Sequence, residues 1–290
     1  MRQETMEKLT QEVADKLGVG IDRLKVTEVV KDNGIRLTGI TLTGRNVGAM
    51  CYVNGFEEDL ESGEITMEEA AMQIAGGLNY IPDGVREQAE QLKDMDKDTF
   101  LDGIRIRLLN AARNEDAKAQ YPYFDFMDLI GVFHYKMGET ASVRVTYALA
   151  EMIGVTLEEL KAAGMRNTEK DKKVMPLAQM MNSLMPEGDE NPFDGGAPLW
   201  VFTNREAYFG ASIMLIADPF EELSQKLETD LFILPSSKHE VLVLPKEQGD
   251  EAGLSGMVRE INGSVVSGED FLSDTIYQYT RGSGVIDIVA

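Results

Sequence analysis

The chain has 290 residues, of which 43% are hydrophobic and 27% charged, enough apolar material for a real core. Fifty Asp and Glu against 28 Lys and Arg give a formal net charge of −22, which repels phosphate backbones and anionic lipid heads. One cysteine, Cys51, excludes an intramolecular disulfide, and two histidines, His134 and His239, leave little for a His-based metal cluster. The N-terminus lacks the apolar core of a secretory signal, and nowhere do 18 apolar residues run together. A cytoplasmic location is therefore expected, with no cofactor and with neither nucleic acid nor membrane as partner.

In chain order, Met6, Leu9, Val13 and Leu17 recur at helical spacing, and Gly18 closes the run as a C-cap. Two β-branched stretches, Leu24 to Val30 and Ile35 to Thr43, flank Asn33-Gly34, a pair suited to the positive φ values of a hairpin turn. A short strand is expected at Ala49 to Val53 and an acidic helical turn at Glu57 to Glu61. Thr66 with Glu69 forms a capping box for a helix reaching Leu78. Ile81-Pro82-Asp83-Gly84 breaks the chain before an amphipathic helix to Met95. Ile104 to Arg107 alternates as a half-buried strand does, and Asn110 to Gln120 is helix-prone.

A second hairpin is predicted from Met127 to Lys136 and Thr140 to Thr146, turning at Met137-Gly138-Glu139. Helices follow at Tyr147 to Ile153 and Thr156 to Ala163, the second with a Thr156/Glu159 capping box. Thr168 to Lys173 reads as a charged loop, and Leu177 to Met185 as a Met-rich helix. The Pro- and Gly-rich stretch 186–198 reads as a linker between regions 1–185 and 199–290. The last region offers strands at Leu199 to Thr203, Leu231 to Leu234 and Glu240 to Leu244, and an apolar run at Ala211 to Ala217. Helices at Pro219 to Glu228 and Glu251 to Ile261 and strands near Thr275 to Tyr279 and Val285 to Val289 complete it. Mixed elements with two hairpins give an α+β fold of largely antiparallel sheets with packed helices.

Several patterns recur together: Trp200-Val201-Phe202-Thr203-Asn204, Gly210-Ala211, Pro235-Ser236-Ser237-Lys238-His239-Glu240-Val241 and Leu272 to Tyr279. With the Asn33-Gly34 hairpin, Phe124 to Leu129 and the aromatic Phe133 and Tyr135, they resemble an uncharacterised domain-of-unknown-function family of bacteria, common in gut Firmicutes. That resemblance spans essentially the whole chain. It implies a shared fold and supplies no catalytic residue.

The segment Ser236-Ser237-Lys238-His239-Glu240 offers a nucleophile, a base and an orienting acid. On an extended segment Ser237 and His239 share a face while Glu240 points away, and no Gly-x-Ser-x-Gly elbow presents either serine. The structural alternative is a hydroxyl-stabilised turn at Pro235-Ser236-Ser237 with His239 opening the next strand. Asn204, Ser236, Ser237, His239, Glu240 and Tyr277 are the candidate binding or functional surface. A deep pocket among them favours an enzyme; a filled surface does not.

Other chemistry is thinner. Cys51, in an apolar run, reads as a small buried residue. The two histidines lack the spacing of a metal half-site. Gly39, Gly44 and Gly48 make no phosphate loop, and Gly282-Ser283-Gly284 reads as a hairpin turn. The acidic stretch Gly188 to Gly196 lacks the ligand spacing of a calcium loop. Residues 1–120 carry 23 acids and 15 bases and residues 121–290 carry 27 and 13, so the excess is spread over a folded body. These features favour a non-enzymatic role in which an acidic surface and open strand edges engage a protein partner or a second copy. The alternative is a hydrolase using Ser236 to Glu240. Mimicry of nucleic acid is a third reading, opposed by the interspersed Lys and Arg.

Overall fold

Gly18 ends the first helix, α1 (Gln3–Leu17), with φ of 65°, a conformation that a Cβ disfavours. A computed structural model describes residues 2–44, 48–81, 87, 90–137, 141–186, 191, 195 and 198–290. The chain divides into two units, Met1–Asp94 and Met95–Ala290.

In the first unit, β1 (Leu24–Val30) and β2 (Arg36–Leu42) form an antiparallel hairpin. Asn33 (φ 61°) and Gly34 (φ 71°) supply its expected left-handed turn. β3 (Met50–Tyr52) pairs with β2, giving the order β1-β2-β3. Then come α2 (Gly55–Ser62) and α3 (Met67–Asn79), the latter opened by the Thr66/Glu69 capping box. α1 and α3 bury Leu9, Val13, Ala71, Ile74 and Leu78 against Leu24, Ile40 and Leu42 of the sheet. Such burial stabilises by roughly 1.5–3 kcal/mol for each large apolar side chain. Of the helix expected after Pro82, residues 83–86, 88 and 89 lie outside the described residues, and Leu92–Asp94 near its end is a 3₁₀ turn.

The second unit holds two antiparallel sheets. It opens with α4 (Lys97–Asp102), β4 (Ile104–Asn110) and α5 (Glu115–Lys118). β5 (Tyr123–Phe126), β6 (Leu129–Met137) and β7 (Ala141–Arg144) complete a four-stranded sheet with β6 between β4 and both its neighbours. The turn expected at Gly138-Glu139 lies outside the described residues. After α6 (Tyr147–Ile153), α7 (Leu157–Asp171) packs on the face bearing Ile104 and Ile106, with Gly164 so close that a Cβ would sit 2.5 Å from Ile106.

The expected loop at Thr168 to Lys173 is instead the end of α7 and the start of β8 (Lys172–Pro176). Thr168 is buried, and the Asn167 amide donates to the Leu101 and Ile104 carbonyls, at 3.0 and 2.8 Å. The polar run is thus held by partners that its composition does not reveal. α8 (Leu177–Leu184) follows. β8 pairs with β9 (Trp200–Asn204), so the Pro- and Gly-rich stretch joins two neighbouring strands of one sheet.

The apolar run Ala211 to Ala217 is largely a 3₁₀ turn over Gly210–Leu215, entered through Phe209 at φ 55°. α9 (Asp218–Leu227), β10 (Leu231–Leu234), β11 (Val241–Pro245), α10 (Glu251–Ser264), β12 (Tyr277–Tyr279) and β13 (Ile286–Ile288) finish the chain. The second sheet runs β13-β12-β10-β11-β9-β8. α10 covers one face through Leu254 and Val258 on Phe232, Leu234 and Leu244. On the other face Phe220 of α9 packs on Phe202 and Tyr279. The α+β class with antiparallel sheets is as expected.

Candidate functional site

The segment between β10 and β11 is a closed turn rather than an extended strand. Ser237 Oγ donates to Glu240 Oε1 at 2.8 Å and accepts the His239 N–H at 3.0 Å. The Ser237 N–H also reaches the Glu240 carbonyl at 3.2 Å, which folds Glu240 back over the serine. Glu240 therefore touches Ser237, against the expectation from an extended backbone, because the hydroxyl closes a local turn.

His239 is held from both ring nitrogens. Nδ1 accepts the Phe209 backbone N–H at 3.2 Å, so it carries no proton. In the neutral ring the proton sits on Nε2, which faces Asp270 Oδ1 at 3.2 Å. Lys238 Nζ lies 3.1 Å from the same carboxylate oxygen, and Ser267 Oγ donates to the other at 2.7 Å. Burial pushes the Asp270 carboxyl up, but Ser267, Lys238 and His239 together hold it below the ordinary aspartate value. The Ser237 hydroxyl points to Glu240 and the two ring nitrogens of His239 face Phe209 and Asp270, so among the described residues no hydrogen bond joins the Ser237 hydroxyl to the imidazole.

The remaining candidates belong to other networks. The Ser236 N–H donates to the Leu234 carbonyl at 2.9 Å. Asn204 Oδ1 accepts the N–H groups of Glu206 and Tyr208, and its amide donates to the Tyr208 carbonyl, shaping the loop that delivers Phe209. Tyr277 donates to Asp128 Oδ1 at 2.7 Å, while Ser273 and Thr275 donate to Oδ2 at 2.5 and 3.0 Å. Burial and the Asp128 charge push the Tyr277 phenol well up. Asp128 lies between β5 and β6, so this clasp ties the first sheet to the last strands of the second. The six candidates thus fall into four separate groups.

Phe209, which sequence reasoning passed over, is the hub of the first of these. It is 2% exposed, with the Arg107 guanidinium 3.4 Å from its ring centroid, His134 edge-on at 5.0 Å and His239 stacked at 5.5 Å. Gly210 beside it admits no side chain, since a Cβ would lie 2.1 Å from Thr203 Oγ1. His134 stands between Arg105 and Arg144 in the strand ladders. Burial, then Arg107, Arg105 and Arg144, hold its pKa well below the ordinary histidine value, so the ring is neutral. The neighbouring cations are compensated: Arg105 pairs with Asp171 at 2.8 Å, Lys136 pairs with Glu206, and Arg144 lies over Tyr121.

The first unit presents a different arrangement at the edge of its sheet. Among the described residues β1 pairs only with β2. The Lys31 N–H bonds to the Ile35 carbonyl and the Thr43 N–H to the Arg23 carbonyl. Antiparallel pairs alternate in bonding, so Lys25, Thr27 and Val29 spend their backbone groups on β2. Val26, Glu28 and Val30 then direct their N–H and C=O outward.

Their side chains share the face of Leu24, Ile40 and Leu42, which are buried in the core, whereas Val26, Glu28 and Val30 are exposed. A groove of about 450 Å³ opens there, lined by Gln3, Met6, Glu7 and Thr10 of α1 with Ile21, Val26 and Thr38. Ile21, Val26 and Val30 are 46%, 40% and 45% exposed. The signal for this edge was present in the sequence: Lys25 and Glu28 interrupt a β-branched run, as charges on edge strands do.

Among the described residues no group of three or more His, Cys, Asp or Glu is placed to hold a metal, and no helix is long and apolar enough to cross a membrane. Cys51 is half-buried, and burial pushes its thiol up. A sequence profile of DUF5688, a family of unknown function, matches residues 2–281. The chain belongs to that family. No curated protein and no solved structure matches it. The function of this DUF5688 chain is therefore read from its own geometry, in which the His239 turn is closed and the β1 edge is open.

Proposed function

We propose that the chain is a cytoplasmic, non-enzymatic protein-interaction module that takes an extended segment of a partner protein as an added strand on β1. One observation carries this reading: Val26, Glu28 and Val30 turn their N–H and C=O groups away from β2, beside the groove under α1. An extended peptide bonds to such an edge through its backbone, while alternate side chains enter the neighbouring pocket. Seven residues of β1 give an edge roughly 23 Å long at about 3.3 Å per residue. Half-exposed Ile21 and Val26 supply apolar surface for those side chains.

The reading is tested by selecting peptides from a displayed random library and measuring their affinity by fluorescence anisotropy. Glu28→Pro removes one outward N–H and leaves the β1–β2 ladder intact. The expected result is a loss of about tenfold or more, equivalent to about 1.4 kcal/mol, with binding unchanged in His239→Ala. Selected peptides that bind Glu28→Pro as well as the parent would overturn it.

A further inference from the structure

We infer that the segment β1 receives is a basic one from another protein, carrying Lys or Arg beside an alternating apolar core, rather than a second copy of this chain; this rests on the strand-addition reading above. The groove supplies two separate requirements. Its floor is apolar, through Met6, Ile21 and Val26, which suits side chains two residues apart on one face of an added strand. Its rim is acidic. Glu7 sits at the groove and accepts a hydrogen bond from Gln3 at 3.0 Å, and among the described residues no cation pairs with it. Glu28, on the same face of β1, pairs on its β2 side with Arg36 at 2.7 Å, and among the described residues with no other cation.

Charge also argues against self-pairing. The first unit, residues 1–94, carries 18 acids and 10 bases, and the whole chain −22. Two copies approaching edge to edge repel over their whole surface. When the outward-facing residues pair around a two-fold axis centred on Glu28, that residue lies opposite itself, and like charges placed so are destabilising. A basic segment reverses both terms: the net charge of the chain attracts it, and Glu7 and Glu28 face it at the edge.

The test uses the full chain and three synthetic peptides of ten residues, read by fluorescence anisotropy. One alternates valine and threonine with two lysines at each end. The second replaces the lysines by glutamates. The third is the lysine peptide N-methylated at alternate amides. The lysine peptide is expected to bind at least tenfold more tightly than the glutamate peptide at low salt. That preference shrinks about threefold in Glu7→Gln, and again when salt rises and screens the rim. N-methylation and Glu28→Pro each abolish binding.

Equal affinity for the lysine and glutamate peptides overturns the basic-partner inference, while sensitivity to Glu28→Pro still upholds strand addition. Binding of the lysine peptide that ignores both Glu28→Pro and N-methylation overturns strand addition and the inference with it. The same follows if neither peptide binds. Sedimentation showing a dimer that Glu28→Pro dissolves would make the occupant a second copy and overturn the inference.

Discussion

The His239 turn and the β1 edge differ in how their hydrogen-bonding groups are used. Around His239 the interesting side chains meet one another: Ser237 with Glu240, His239 with Phe209 and Asp270, and Tyr277 with Asp128. Along β1 the side chains are ordinary, but three residues turn outward backbone groups that find no strand partner among the described residues. The chemically suggestive residues bond to one another, whereas the plain strand Leu24–Val30 keeps backbone groups turned away from β2. Residue type alone points to the first region and unspent bonding capacity to the second.

If the second unit's polar groups serve the fold, removing them should cost stability and leave peptide binding alone. Asp128→Ala takes the shared acceptor from Ser273, Thr275 and Tyr277. We expect a loss of about 3 kcal/mol or more, and a fall in Tm of roughly 10 °C by calorimetry. A fall under about 2 °C would mean that the clasp is not structural.

Acid should act through His134 next. The folded protein keeps this ring neutral, while the unfolded chain binds its proton near the ordinary value of 6.5. Its contribution is therefore intact above about pH 6.5 and is lost as pH falls below it, approaching about 1.4 kcal/mol per pH unit. Denaturant titrations of the parent and His134→Phe between pH 7 and 5 should differ by that slope, and parallel curves would contradict it. Ser237→Ala, which opens the turn without touching Phe209, should cost about 1 kcal/mol and leave affinity for the lysine peptide within twofold. The smallest effect belongs to the edge: Glu28→Pro should change stability by less than about 1 kcal/mol while abolishing binding.

Much of the fold was legible where the signal is local. The Thr66/Glu69 and Thr156/Glu159 capping boxes and the Asn33-Gly34 turn each work through residues no more than three apart, and each forms as read. Thr168 to Lys173 differs from its expected loop, and the 3₁₀ turn in the apolar run Ala211 to Ala217 has no local signal, because both conformations depend on distant partners. For the former these include the Leu101 and Ile104 carbonyls beneath Asn167, and for the latter Phe209 held by Arg107 and His239. At the predicted site the hydroxyl-stabilised turn was legible in Ser237. Asp270 and Asp128 were not, because they lie 31 residues from His239 and 149 from Tyr277. The open edge was hidden for a similar reason: which strand lies outermost follows from sheet order, and Lys25 and Glu28 only hint at it.

Hydrogen exchange resolved at single amides of β1 tests the central claim most directly. In the free protein the amides of Val26, Glu28 and Val30 should exchange fast, and those of Thr27 and Val29 slowly. Addition of the lysine peptide should then slow the first three. Protection of Val26, Glu28 and Val30 before any peptide is added would show that the edge is already occupied, and would contradict the account.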